Sequence, residues 1–118
     1  MKNKYLRKKL KTYCFDIDGV ICSTNGNDYK NSKPTYKSIK KINQLYSAGN
    51  IILIFTARFM GRSNDNPILA KKRGYQFTFK QLKKWKLNFH KLIFGKPSFN
   101  IIIDDKSIFY RKNWHNKI

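Results

Sequence analysis

Three continuous apolar runs stand out along the chain: "YCFDI" at 13–17, "NIILIFTA" at 50–57 and "FNIIIDD" at 99–105. Short β-branched runs bounded by Gly, Asn or Pro predict strands covered on both faces, as in parallel sheets. A fourth run, "KLIFG" at 91–95, is a weaker strand candidate. Between the first two runs, Ile39, Ile42, Leu45 and Tyr46 recur at helical spacing. Pro34 precedes them and Gly49 follows, which predicts a helix of about three turns. In "FTFKQLKKWKLN" at 77–88, Phe79, Leu82 and Trp85 form a helical stripe behind Thr78, the predicted N-cap. A separate short helix is expected at 68–73, closed by Gly74. The order strand, helix, strand, helix, strand, strand gives an α/β sandwich with a mainly parallel sheet, in one domain over 1–118.

Two segments break the pattern. "STNGNDYKNSK" at 23–33 follows the first strand, and "RFMGRSNDNP" at 58–67 follows the second. Ligands bind outside the carboxyl ends of strands in open parallel sheets, so these loops are where a site is expected.

Composition narrows the picture. The chain has 118 residues, 41% of them hydrophobic, enough for one core and little more. No run approaches the roughly 18 uninterrupted apolar residues of a membrane helix, so no membrane partner is expected. The basic start "MKNKYLRKKLK" leads into a short run that carries Asp16 and Asp18, which argues against a signal peptide. Two cysteines, Cys14 and Cys22, make neither a disulfide framework nor a structural zinc site, and a reduced, cytoplasmic protein is expected. The net charge of +20 invites a nucleic-acid partner. Yet only five of the 26 basic residues are Arg, the type favoured for bidentate phosphate recognition. Lysine that simply fills solvated surface, or a field that attracts an anionic small substrate, accounts for the same charge.

The six acidic residues are all Asp, and their placement is the strongest chemical signal. Asp16 and Asp18 end the first predicted strand, and Asp104 and Asp105 end the last. Asp28 and Asp65 lie in the two loops. Four close carboxylates repel unless a divalent cation sits among them, and hard oxygen ligands suit Mg²⁺. A calcium loop of EF-hand type is excluded, because it closes on a Glu and the chain has none.

"DIDGV", Thr56 in "IFTAR", Lys96 in "FGKPS" and "IIIDDKS" occur in that order, spread over most of the chain. This ordered set resembles the four motifs of the haloacid dehalogenase superfamily of phosphotransferases. The longer pattern around it is similar to a group of very small members linked to capsule or surface-carbohydrate synthesis. The resemblance implies a three-layer Rossmann-like sandwich. Neither inter-motif gap has room for a cap domain, so a capless form is expected. It implies Asp16 as nucleophile, forming an aspartyl-phosphate, and Asp18 as general acid and base. It implies Mg²⁺ on the Asp16 carboxylate, the Asp18 carbonyl and Asp105, with Asp104 as a further ligand or supporting partner. Thr56 and the backbone N–H groups near Ile17 and Ala57 would bind the phosphoryl oxygens. Lys96 would neutralise their charge, although it lies closer to Asp104 than is usual in the superfamily, which leaves Lys71 or Lys72 as alternatives. Arg58 follows the threonine and is expected either to contact substrate or to pair with a surface acid. Tyr29, Arg62 and Asp65 are weaker loop candidates, and His90 and His115 are expected to be structural or surface residues. Phe59 and Met60 stand where similar sequences often carry small residues.

The function implied is a Mg²⁺-dependent phosphatase acting on a small phosphorylated metabolite, a sugar phosphate of surface-carbohydrate synthesis. Two other readings fit the same residues: a phosphatase on nucleotides or nucleic-acid ends, and a non-catalytic binding module. A dimer or tetramer could wall so small a site.

Overall fold

The computed structural model describes residues 9–108 and 113–118. Its elements are β1 (Thr12–Phe15), β2 (Cys22–Ser23), β3 (Lys33–Pro34), α1 (Tyr36–Ser47), β4 (Ile51–Thr56), α2 (Pro67–Lys84) and β5 (Lys91–Phe94). β1, β4 and β5 form one parallel sheet in that spatial order. β2 and β3 form a separate antiparallel ribbon that closes the loop after β1. The architecture is α/β, with a mainly parallel three-stranded sheet and two helices. No helix among the described residues is long and apolar enough to cross a membrane.

The central strand explains the core. Ile52, Ile54 and Thr56 of β4 are buried, whereas Leu53 and Phe55 are only half-buried and Ile51 is exposed. One face of the sheet is therefore sealed and the other partly covered. Ile39 and Ile42 from α1 and Ala70 and Leu82 from α2 join this core. Trp85, Leu87 and Trp114 extend it, and Trp114 packs on Phe15 with ring centroids 5.3 Å apart.

The weaker strand candidate, 91–95, is a strand. The stronger one, 99–105, is not: the structure has no strand there, and Ile101, Ile102 and Ile103 are 79%, 56% and 95% exposed. Connection length is the physical reason. A parallel strand needs a crossover of a dozen or more residues, and only residues 95–98 separate β5 from Phe99.

The second helical region also differs from expectation. Residues 67–84 form one continuous helix, not a short helix closed by Gly74 and a second one capped by Thr78. Its cap is Asn66, whose Oδ1 accepts from Ile68 N (3.0 Å) and Leu69 N (3.1 Å), with Pro67 at the first helical position. Gly74 is there for space. A Cβ at that position would lie 2.3 Å from a Phe59 ring carbon, so the glycine admits the ring instead of ending the helix. Thr78 is fully buried within the helix.

Candidate active site

The chain leaves β1 through a tight turn in which the Ile17 carbonyl accepts from Val20 N (3.1 Å) and Ile21 N (2.8 Å). This turn sets Asp16 and Asp18 at the carboxyl end of the strand, in very different surroundings. The Asp16 side chain is about one-third exposed. Its Oδ1 accepts from Ile17 N (2.8 Å), and its Oδ2 lies 3.2 Å from Lys96 Nζ.

Lys96 reaches Asp16 because the main chain is fixed just before and at it. Gly95 has φ +105°, a conformation that glycine adopts freely, and a Cβ there would approach Pro67 Cβ at 3.0 Å. The Lys96 amide then donates to the Thr56 carbonyl (3.1 Å), which ties the turn after β5 to the end of β4. The alternatives lie elsewhere. Lys71 stands over the Tyr75 ring beside β5, with Nζ 5.5 Å from its centroid, and Lys72 is exposed. Of the three candidate lysines, Lys96 is the one in contact with Asp16.

Asp18 is held by a second cation. Arg58 Nε donates to Asp18 Oδ2 (2.9 Å) and Nη2 to Oδ1 (2.9 Å). The hydroxyl of Thr24 also donates to Oδ1. Burial by itself raises the Asp18 carboxyl, but the hydrogen bonds and charge of Arg58, with Thr24 and Cys22, hold it below the usual carboxylate range. Arg58 is 1% exposed and makes further bonds to Gln81 Oε1 (2.6 Å) and Ser32 Oγ (3.4 Å). Its guanidinium lies 4.7 Å from the centroid of the Tyr29 ring. Arg58 is thus paired with an acid, Asp18, whose side chain remains 28% exposed, while Arg58 itself lies inside a buried polar cluster.

Thr56 is fully buried, and its Oγ1 accepts from Arg58 N (3.1 Å). The Ile17 N–H, expected to face a phosphoryl group, is engaged by Asp16. Ala57 is half-buried, and its carbonyl accepts from Met60 N (3.1 Å). In the same turn Phe59 adopts φ +67°, in the left-handed region costly for a residue with a Cβ. Its ring packs against Tyr29 at 5.2 Å, and Arg62 lies over it at 4.5 Å. These residues line a shallow cavity of about 200 Å³ with Asn27, Asp28, Lys30 and Phe77. A larger groove of about 330 Å³ runs along β5 and contains neither Asp16 nor Asp18.

The remaining acids stay apart. Asp104 and Asp105 are exposed, and Asp104 closes a local turn by accepting from Lys106 N (2.9 Å). Asp65 accepts from Ser98 Oγ (3.0 Å), and Asp28 pairs with Asn31. Among the described residues, no group of three His, Cys, Asp or Glu side chains is placed to hold a metal. The expected convergence of four carboxylates is therefore absent from a single chain, because the segment bearing Asp104 and Asp105 does not join the sheet. His90 is structural, as expected: its Nδ1 accepts from Ile52 N (3.0 Å), and its ring stacks on Tyr46.

Sequence reasoning missed Thr24, Ser32 and Gln81, which complete the polar cluster around Asp18 and Arg58. Gln81 Nε2 also donates to the Tyr29 carbonyl (2.7 Å) and so pins the loop after β2 to α2. The one available signal was a polar residue on the inward stripe of a helix.

No family model and no curated protein matches the chain. A crystal structure of an MCSG target from Vibrio cholerae is similar in fold, with TM-score 0.78 and 22% identity. The match covers 92% of this chain and 95% of that one. At this identity the likeness concerns the fold alone.

Proposed function

We propose that the protein is a capless phosphomonoester hydrolase of haloacid dehalogenase type that works through Asp16. The observation that carries this reading is the Asp16–Lys96 pair at the carboxyl end of a parallel sheet, open to solvent and next to the end of β4. An Asp16 oxygen attacks phosphorus, and the bond from phosphorus to the leaving oxygen breaks. A proton reaches that oxygen, and water then attacks the aspartyl-phosphate to release phosphate and restore the carboxylate. Lys96 offsets the charge of the incoming phosphoryl group. The Thr56 hydroxyl, an acceptor from Arg58 N, keeps its own proton for a phosphoryl oxygen.

Asp18 takes the general acid and base role in this reading. Its ionised form suits activation of water, and donation to the leaving oxygen requires the carboxyl first to leave Arg58 and take a proton from solvent. Magnesium belongs to the proposal through the resemblance of the motifs. Its expected donors do not come together within one chain, so no step here runs through it. The three-layer arrangement and the cytoplasmic location belong to the same reading. The substrate proposed is a small phosphorylated metabolite, a sugar phosphate of surface-carbohydrate synthesis.

The net charge of +20 favours a second reading, in which the same open site acts on nucleotides or nucleic-acid ends. A panel of phosphate esters and 5′- and 3′-phosphorylated oligonucleotides, assayed with Mg²⁺, separates the two. Asp16→Asn is expected to abolish turnover while leaving the fold intact. Turnover unchanged by that substitution would refute the Asp16 mechanism.

A further inference from the structure

The segment after Lys96 is the part of the molecule that its surroundings explain least. Ile101, Ile102 and Ile103 stand largely in solvent, flanked by exposed Phe99 and Ile108. A contiguous apolar patch of this kind marks an interaction surface. Across the sheet, β1 pairs only with β4, and among the described residues its other edge carries no ladder partner. Cys14 and Thr12 of β1 are exposed.

The two features fit each other, but not within one chain. To lie parallel beside β1, the run must begin at the end of the sheet opposite to where β5 stops. The five Cα–Cα steps from Phe94 to Phe99 span at most about 18 Å, short of the direct distance of about 19 Å. The return needs about 13 Å along the strand and about 14 Å across three strand positions, and no straight path through the sheet exists. The connection is also held at two points, by the Lys96 amide on Thr56 and by Ser98 on Asp65. The run of a second copy, tethered to its own body in the same way, reaches this edge without crossing its own sheet.

We propose that residues 99–105 of one copy add as a parallel strand to the free edge of β1 in a second copy, reciprocally, giving a strand-exchanged dimer. Parallel addition suits a run that is apolar on both faces, and the receiving sheet is itself parallel. Reciprocal exchange gives a closed two-fold assembly in which both exposed runs are covered. In this direction Asp104 and Asp105 arrive beside Asp16 of the partner subunit, the place a single chain leaves without them. Only the meaning of that last contact rests on the phosphatase reading; the dimer does not.

Light scattering on the full chain is expected to give twice the chain mass. Substituting Ile101→Lys, Ile102→Lys and Ile103→Lys together is expected to return the chain mass with an unchanged far-UV circular dichroism spectrum, because these side chains are exposed in the single chain. In a Cys14→Ser background, Asp16→Cys with Asp105→Cys is expected to give a dimer band with a bifunctional maleimide, and Thr12→Cys with Asp105→Cys is not. A wild type of single-chain mass at all concentrations, or a dimer that survives the three lysines, overturns the exchange. Cross-linking through Thr12→Cys in place of Asp16→Cys overturns the parallel direction. None of these readouts is an activity, so a failed phosphatase assay cannot be confused with a failed dimer.

Discussion

Asp16 and Asp18 lie two residues apart, each faces one cation, and the two pairs are built for different ends. Asp16 meets Lys96 through a single 3.2 Å contact, with both side chains partly in solvent. Asp18 meets Arg58 through several hydrogen bonds, and Arg58 is sealed from solvent and bound in turn to Gln81 and Ser32. Asp16 is thus reachable and loosely held, whereas Asp18 is enclosed and held by several bonds. Through its bonds to Asp18, Ser32 and Gln81, the Arg58 guanidinium joins the turn after β1, the loop before β3 and α2 into one body.

The largest expected effect separates the two pairs by stability. Arg58→Ala strands Asp18 beside an empty polar cluster, and about 3–5 kcal/mol is expected to be lost in urea unfolding. Equal losses from Arg58→Ala and Lys96→Ala would erase the distinction. Next comes the roof over the enclosed pair. Gly74→Ala drives a methyl into the Phe59 ring, which packs on Tyr29, and should cost about 1–3 kcal/mol in the same measurement.

Acid sharpens the contrast further. The Asp18 carboxyl is held below its ordinary value, so its stabilising contribution is complete above the unfolded value of about 3.9 and fades as pH falls through the lower folded value. Unfolding midpoints measured from pH 5 downward should therefore drop less steeply in Asp18→Asn than in the wild type, once the constant loss from the substitution is subtracted. The smallest effect is expected at the open pair. Lys96→Met should change stability by about 0–1 kcal/mol. If the proposed function holds, the same variant should lose most of its turnover, which pairs a large kinetic change with a small thermodynamic one.

The sequence made the sheet legible where apolar runs were flanked by turn residues, as at β1, β4 and β5. It misled where the same pattern stands exposed and forms no strand in the chain. "FNIIIDD" has every local mark of a buried strand, and only the length of the link from β5 argues against that place. Gly74 reads as a helix stop until the Phe59 ring is seen against it, and that contact joins residues far apart in the chain. The Asp16–Lys96 contact followed from motif order. The role of Arg58 did not, because its partners Asp18, Ser32 and Gln81 come from three different elements and no local pattern links them.

The anchoring of Lys96 by its own amide to Thr56 has a consequence for how this position can vary. The starting point of the side chain is set by main-chain atoms that any residue other than proline supplies. Position 96 thus behaves as a socket, into which a shorter or longer cation can be placed without rebuilding the frame. The reach of the positive charge can be tuned there independently of the fold.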